Sequence, residues 1–546
     1  MIHSLIIAVQ AVLPLPAVDS PAPILSVIPE DAAAAVMIRD WPDIQRRVAS
    51  LESNVLSPWM PTIELLKRRM WIADGLRDSG EAALVLFPLD GANEPADVLV
   101  IILPVDDRTR ILALWQPREP VGGIREITWQ DKPAFAGFRD GYVVISPERN
   151  NVARVLQAPR RLSQTLGDNL LARMGASDLG IWLQLERLGT RGRDALFSTW
   201  LPDTGNLAKA VTDQAGAVML GARATRQGVQ LDGYVEIKTF NEAFWPTVRH
   251  DLLNPPSPMT GRPCLSLGWA GGEGLVAMFS SVLGRDSGMV VPAAQNDFEQ
   301  HVMRLAASLR SGLFHVAARN DAAQNDAESD AYVIGLVLHA AGGAADLLDK
   351  WRNLIEFIKR GPFAEPLYNA LGTSVQYRRH QETINALPVD HVVADVDTGS
   401  SLEAAALERS IAGNGLVIRC GLVGENLLLL LGGDEEDFAK LSTDVARGQS
   451  GRAAIALARR SAEASIHWNT FARFFEVMLT GGQRGGNPAA AGDAASRAAF
   501  DEAKHADAAP IHIEVRPRFN GMGISIQIPA EALRIPSRAN SVQGEF

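Results

Sequence analysis

Cysteine is the scarcest residue type in this chain, with two among 546 residues. So few cysteines exclude a small disulfide-stabilised scaffold, and neither a C-x-x-C motif nor a Cys/His zinc spacing occurs. Cys264 and Cys420 both lie in apolar, strand-like runs. We expect two buried thiols, because free cysteine packs as a small apolar side chain. A disulfide between them within the second half is the alternative if the protein is exported.

Long hydrophobic stretches and runs of like charge are also missing. Beyond the N-terminus no segment approaches the roughly 18 uninterrupted apolar residues of a membrane-spanning helix, so we expect no transmembrane segment in the mature chain. The formal net charge of -11 is spread along the sequence. Without a basic patch there is nothing to neutralise a phosphate backbone, and no nucleic-acid partner is expected.

The N-terminus begins with a short apolar run, from Ile2 to Ala17, that is followed by small residues and prolines. This pattern is typical of a secretory signal with cleavage after Ala17, although no Lys or Arg precedes the run. The alternative is a first buried strand of the fold. We therefore predict a signal peptide and leader over residues 1–22 and an exported protein, periplasmic or extracellular.

Catalytic motifs are absent as well, since the sequence has no HExxH, GxSxG or SxxK. The segment GWAGGEG, residues 268–274, has the glycines of a phosphate-binding loop but lacks the Lys and Ser/Thr of a P-loop and the spacing of GxGxxG. A turn is the better interpretation. His315, His467 and His512 lie in apolar runs without partners at ligand spacing, so they predict core or strand histidines. No metal or cofactor site is expected.

What the sequence does contain is a pattern that occurs twice. Residues 79–115 read as an apolar strand, a polar loop, a second apolar strand and a helix that ends at a Trp, and residues 311–351 repeat this order. Helices are predicted before both segments, from Ile63 to Leu76 and from Phe298 to Leu309, where apolar residues recur at helical spacing. The pattern indicates a duplicated folding unit rather than a catalytic motif.

Further matches extend the repeat along the chain in the same order. The offset between matched residues grows from 228 to 236, jumps to 285 and reaches 293, and the jump predicts an insertion in the second copy at residues 361–414. We expect matched Trp residues at the ends of equivalent helices and matched Gly residues in the turns of equivalent hairpins. The matched pairs are Trp41 and Trp269, Ser79 and Ser311, Trp115 and Trp351, Asp140 and Glu425, Trp182 and Trp468, and Gly228 and Gly521.

These matches predict an α+β protein made of two tandem copies of one unit, with mainly antiparallel sheets covered by helices. The copies should span residues 24–255 and 256–535, joined by the segment LNPPSPMTGR and followed by a loose polar tail, residues 536–546. Alternating apolar positions from Val229 to Ile237 indicate a strand with one covered face. Regular βαβ alternation is missing, which excludes a doubly wound nucleotide-binding fold.

The strand DHVVADVD, residues 390–397, carries the candidate chemistry. Side chains two apart share a face of a strand, so His391, Asp395 and Asp397 should lie on one side and the apolar side chains on the other. A histidine with two carboxylates can hold a divalent metal or perform acid–base chemistry. The plainer interpretation is a solvated outer face, as antiparallel sheets normally have.

The motif DTGSS, residues 397–401, is similar to the active-site turn of pepsin-like aspartic peptidases, and a second DTG lies at residues 203–205. Two carboxylates that share one proton would be the physical reason for such a pair. The two DTG segments do not occupy equivalent positions in the repeat, however, and long helices do not belong in an all-β peptidase. Ser400 and Glu403 also fit a helix capping box, which explains the turn without catalysis.

The segment IPEDAAAAVMIRDW near the start and the DGYVVIS hairpin followed by a helix resemble an uncharacterised bacterial family of exported, internally duplicated proteins, known as a domain of unknown function. The resemblance covers most of the chain and rests on hydrophobic patterns. It implies no activity and no catalytic residues.

The repeat and the missing catalytic set together predict a non-catalytic extracytoplasmic binding or scaffold protein. Ligands favour the interface between domains, so the expected site is the groove between the two copies. The expected ligand is a protein, a peptide or a lipid. The alternative is a hydrolase that uses His391, Asp395 or Asp397.

Overall fold

The computed structural model divides the chain into two compact units. The first contains Met1–Glu242 and Arg518–Leu533, and the second contains Ala243–Pro517 and Arg534–Phe546. The predicted leader and both DTG segments lie outside the described residues, so these interpretations stay predictions. The described residues are 23–50, 64, 67–68, 72, 74–88, 95–115, 117–189, 215–238, 262–270, 292–319, 331–360, 373–396, 416–450, 462–467, 509–518 and 521–533.

The described part of the chain contains nineteen strands, labelled in chain order. Those of the first unit are β1 (Ala34–Ile38), β2 (Ala82–Leu86), β3 (Leu99–Pro104), β4 (Arg125–Trp129), β5 (Lys132–Arg139), β6 (Tyr142–Ser146), β7 (Leu179–Gln184), β8 (Ala215–Thr225) and β9 (Gly228–Ile237). The others are β10 (Arg262–Ala270), β11 (Leu309–Arg319), β12 (Ala331–Ala340), β13 (Thr373–Ile384), β14 (Leu387–Val396), β15 (Leu416–Val423), β16 (Asn426–Leu431), β17 (Ala462–Ile466), β18 (Ile511–Arg518) and β19 (Gly521–Pro529).

Eight α-helices accompany these strands in the described residues. They are α1 (Trp41–Ala49), α2 (Arg108–Trp115), α3 (Arg149–Gln157), α4 (Leu162–Thr165), α5 (Asp168–Ala176), α6 (Pro292–Ala306), α7 (Ala344–Arg360) and α8 (Glu435–Ser450). The start of α1 shows why a helix begins where it does. Asp40 caps it by accepting the Asp43 N–H at 3.0 Å, and Pro42 fits the first turn, where no backbone donor is needed.

The first unit is organised by an antiparallel sheet. Its strands lie in the order β4-β5-β6-β3-β2-β1-β7-β8-β9-β19, and every neighbouring pair is antiparallel. The strand nearest the C-terminus, β19, therefore completes a sheet whose other strands come from the N-terminal half. Ser525 of β19 lies directly opposite Asp232 of β9.

Apolar side chains are buried on both faces of this sheet. Val100 and Ile102 of β3 join one core cluster, and Leu103 joins another on the opposite face. This explains why β3 reads as a continuous apolar run rather than an alternating one. The segment that follows the predicted leader is part of the first cluster, since Ile24 and Leu25 in the 3-10 turn Pro23–Ser26 are fully buried.

The second unit also has an antiparallel sheet, with strand order β13-β14-β15-β16-β12-β11-β10-β17-β18. The five consecutive leucines of β16 are divided between its two faces. Leu427 and Leu429 pack in the cluster that contains α6 and α7, whereas Leu428 and Leu430 pack against Phe438 of α8. A strand buried on both faces needs no polar alternation.

The predicted class, α+β with mainly antiparallel strands, is confirmed. The sheets are large, however, so helices cover less of their surface than predicted. Two predicted helix ends are also wrong. Leu76 forms a bridge to Val105, and Leu309 begins β11 opposite Ala340. Trp115 ends α2 as expected, whereas Trp351 lies in the middle of α7.

Gly228 is the first residue of β9 and closes the two-residue turn opposite Thr225, as predicted, whereas Gly521 is the first residue of β19 and the residues before it are not described. The strand β9 contains the alternating stretch predicted from Val229 to Ile237.

Each helix of the described residues is too short or too polar to span a bilayer.

Candidate functional site

Of the three candidate residues on the acidic strand, only His391 has a described side chain. His391 and Asp395 lie in β14, opposite Arg378 and Ser374 of β13. The side chain of Asp395 is not described, and Asp397 lies outside the described residues. A joint site for the three residues therefore stays a prediction.

The carboxylate partner of His391 is Glu382, which the sequence did not single out. His391 Nε2 lies 2.7 Å from Glu382 Oε1, and Arg419 Nε donates to the same oxygen at 2.8 Å. Burial raises the pKa of Glu382, but the hydrogen bonds from His391 and Arg419 outweigh burial and lower the pKa. The His391 side chain is only 12% exposed, so an interstrand ion-pair cluster replaces the expected solvated face.

The opposite face of β14 holds a buried carboxylate, Asp390. Arg352 of α7 donates to Asp390 Oδ2 through Nε and Nη2, at 3.0 and 2.8 Å. The Tyr377 hydroxyl donates to the same oxygen, and the His380 N–H donates to Oδ1 at 2.9 Å. Burial raises the pKa of Asp390, but these hydrogen bonds outweigh it and lower the pKa. The cluster ties α7 to the β13–β14 hairpin.

One sequence signal pointed to this cluster. Asp390 has the same parity as Val392, so it is a charged residue on the apolar side of a predicted strand. Its partners could not be read from the sequence, because the His380 N–H becomes available only through an irregularity in the β13–β14 register between Arg378 and Glu382.

The first unit contains a polar pocket with a volume of about 360 Å³. Glycine and proline residues line it together with charged and aromatic side chains, and it falls within the size range of small-molecule sites. The side chains that matter for its chemistry are Arg39, Asp40, Arg77, Glu81, Asp140 and Tyr142.

Short connections around the first strands position these side chains. Arg39 and Asp40 follow the end of β1, and the Arg39 N–H is fixed by the Asp178 carbonyl at 3.0 Å. Asp140 and Gly141 form the turn between β5 and β6 with positive φ angles of 48° and 81°. This tight turn places Tyr142 as the first residue of β6, at the edge of the pocket.

Each carboxylate in the pocket already has a donor. Asp40 accepts the Asp43 and Gly80 N–H groups, at 3.0 and 3.3 Å. Asp140 accepts Arg139 Nε at 3.1 Å. Glu81, which is 8% exposed, accepts the Ile24 N–H at 2.8 Å. Burial raises the pKa of Glu81, although the Ile24 N–H and the charge of Arg39 act in the opposite direction.

Two side chains of the pocket, Arg77 and Tyr142, donate few hydrogen bonds within the described protein. Arg77 makes one long hydrogen bond, from Nη2 to the Val105 carbonyl at 3.4 Å, and has no carboxylate partner among the described residues. The Tyr142 hydroxyl has no hydrogen-bond partner in the described part of the chain. Burial and the nearby Glu81 raise the pKa of Tyr142 to about 12, opposed by Arg77, so the hydroxyl keeps its proton at neutral pH. Two hydrogen-bond donors are thus available to a ligand.

No protein-family model and no curated protein matches the sequence. Among solved structures, crystal form III of TP0453 is 10% identical with a TM-score of 0.25, and covers 40% of this chain and 82% of its own. Crystal form I of TP0453 is 12% identical with a TM-score of 0.21, and covers 41% of this chain and 83% of its own. Similarity at this level supports no argument about fold or function.

A serine–histidine contact lies elsewhere, in the second unit. Ser266 Oγ is 2.5 Å from His315 Nδ1, across β10 and β11. His315 is 4% exposed, and its Nε2 atom is buried without a hydrogen-bond partner among the described residues. Burial, together with His467, lowers the pKa of His315 to about 4. A histidine that is this weak a base, and that no carboxylate orients, is poorly suited to activate a serine.

The two cysteines are buried free thiols in separate core clusters. Cys264 packs with Val316 and Tyr332, and Cys420 packs in the cluster of Trp351. Burial raises the pKa of each thiol to about 12. The expectation of two buried thiols is met, and the disulfide alternative is not.

Proposed function

We propose that the protein is a non-catalytic extracytoplasmic binding protein built by duplication of one α+β unit, and that the pocket of the first unit holds its ligand. The observation that carries this proposal is the pair of under-used donors, Arg77 and Tyr142, in a cavity of about 360 Å³. The groove between the copies, the site expected from the sequence, stays a separate prediction.

The order of the strands supports the duplication. In the first unit β4-β5-β6-β3-β2-β1-β7-β8 are neighbours, and in the second β14-β15-β16-β12-β11-β10-β17-β18 follow the same order. Helices α2 and α7 follow equivalent strands, as do α3 and α8. On this correspondence β13 is an additional strand inside the insertion predicted at residues 361–414, whereas β14, in the same range, corresponds to β4.

Comparison of the two copies also supports a functional role for the pocket. At the repeat offsets of 232 and 285 residues, Arg77, Glu81 and Tyr142 correspond to Leu309, Leu313 and Leu427. These leucines are buried, with exposed fractions of 6%, 5% and 0%. At these sequence offsets the second copy has apolar residues, which supports a role for the polar residues of the first copy other than maintaining the fold.

Ligand retention tests the proposal. Protein purified from its native cells, then denatured, should release a small molecule that mass spectrometry detects. The double variant Arg77→Leu/Tyr142→Leu, which carries the residues found at the repeat offsets in the second copy, should remain folded by circular dichroism and release none. Arg118→Leu is the matched control, because Arg118 is an exposed arginine of the same unit outside the pocket. Retention of the same molecule by the double variant would contradict the proposal.

The alternative of a hydrolase that uses His391, Asp395 and Asp397 has no supporting contact in the described structure. The carboxylate bound to His391 is Glu382, which Arg419 shares. Substituting His391 or Glu382 should therefore change stability rather than any activity.

A further inference from the structure

The charges around the first-unit pocket define the kind of ligand that it can take. Two guanidinium groups, Arg39 and Arg77, and three carboxylates, Asp40, Glu81 and Asp140, line it. The carboxylates outnumber the cations, and each carboxylate has a donor from the protein. A cationic ligand would share each carboxylate with a donor that the protein already supplies.

The pocket also presents two hydrogen-bond donors that make few bonds within the protein. The Arg77 guanidinium has one long hydrogen bond to a carbonyl, and the Tyr142 hydroxyl has no partner in the described part of the chain. A guanidinium fork matches the two oxygens of a carboxylate, and a phenol adds a third hydrogen bond. Glu81 is buried nearby, so it repels a dianion more than a monoanion.

We infer that the ligand is a small organic acid whose single carboxylate lies between the Arg77 guanidinium and the Tyr142 hydroxyl. This inference rests on the proposed function, because it names the ligand class of the same pocket. Pro23, Pro104 and the ring of Tyr142 supply the apolar part of the lining. The acid therefore carries a compact apolar body, which fits a cavity of about 360 Å³.

Matched pairs of probes test the inference. Calorimetric titration of the full chain at pH 7 would compare acetate with acetamide, benzoate with benzamide and phenylacetate with phenylacetamide. At least one acid should bind more than tenfold more tightly than its amide, because the amide has no charge for Arg77. Phenyl phosphate should bind more weakly than benzoate.

Three variants locate the binding group. Arg77→Gln should abolish the preference for the acid, and Tyr142→Phe should weaken acid binding about tenfold, because it removes one hydrogen bond to a charged group. Arg118→Gln, a control at an exposed arginine outside the pocket, should bind as the unchanged protein does. Circular dichroism checks that each variant is folded, and Tyr142→Phe provides the test if Arg77→Gln is not.

The outcomes separate the inference from the proposed function. If acid and amide bind equally, or if both Arg77→Gln and Tyr142→Phe keep the preference, the ligand class is wrong while the pocket remains a binding site. Tighter binding of phenyl phosphate than benzoate would overturn the monoanion in favour of a phosphate. If no member of any pair binds, the pocket itself is rejected.

Discussion

Buried polar side chains are the residues whose behaviour the sequence describes least well. His315 lies in an apolar run, and the sequence predicts a core or strand histidine there. The structure confirms the burial, and in the described part of the chain Nε2 has no hydrogen-bond partner, while Nδ1 lies against Ser266. A neutral imidazole tolerates this environment, whereas an imidazolium would place a charge where nothing solvates it. The stability of the second unit should therefore depend on whether His315 is protonated.

We predict that the second unit loses stability in mild acid through His315. The folded-state pKa of about 4 lies below the ordinary value of 6.5, so the unfolded chain binds the proton more readily. The stabilisation is complete above pH 6.5 and declines as the pH falls from 6.5 to about 4, by roughly 3 kcal/mol in all.

Denaturant titrations at pH 7.5 and pH 5 measure this loss. His315→Asn, which keeps a polar group near Ser266, should show a smaller difference between the two pH values. His380→Asn is the control, because His380 is exposed and Asn tolerates its positive φ of 48°. Equal acid losses in the His315 variant and the unchanged protein would show that other groups are responsible.

The candidate pocket could not be predicted from the sequence. Its side chains come from connections near Pro23, Arg39, Arg77, Pro104 and Tyr142, which are far apart in the sequence. Periodicity reports which face of an element is buried, but a pocket depends on which loops meet. The sequence holds one hint, since Arg77 and Glu81 align with Leu309 and Leu313 at the predicted repeat offset of 232.

At the scale of elements, the sequence predicts type better than extent. The alternation from Val229 to Ile237 correctly indicated β9, and the apolar spacing from Phe298 correctly indicated α6. Helical spacing continued by chance to Leu309, where the chain already forms β11. The pairing of β9 with β19 could not be predicted, because nothing local in either strand specifies a partner far along the chain.

We predict that Gly228→Ala loosens the β9–β19 pairing. Gly228 has a φ of 145°, and a Cβ atom there would lie 2.0 Å from the Ile528 carbonyl oxygen. The substitution should cost on the order of 1–3 kcal/mol and reduce the hydrogen-exchange protection of β19 amides.

Gly122→Ala is the matched control for Gly228→Ala. Gly122 also has a positive φ, of 62°, but open space surrounds its Cβ position. Undiminished protection of β19 in Gly228→Ala, or an equal loss in Gly122→Ala, would show that the contact with Ile528 is unimportant.

At the scale of the whole molecule, the predictions concern duplication and export. The repeated strand order supports two copies of one unit, and the fully buried Ile24 and Leu25 show where the first core begins along the described chain.

We predict a mature N-terminus near Val18. N-terminal sequencing of protein from its native cells should find Val18 first, and Ala17→Lys should block processing because the cleavage site requires a small residue. An intact Met1 on protein from the cytosolic fraction would contradict export.

The position of β19 has a consequence for biosynthesis. The first unit is translated early, yet its sheet lacks a strand until residue 529 has left the ribosome. In the meantime one edge of the ten-residue strand β9 exposes the unpaired backbone groups of alternate residues, and such an edge can pair with strands of other nascent chains. A chain kept unfolded by chaperones until translocation would avoid this hazard, so expression that leaves the chain in the cytosol should give aggregates nucleated at β9.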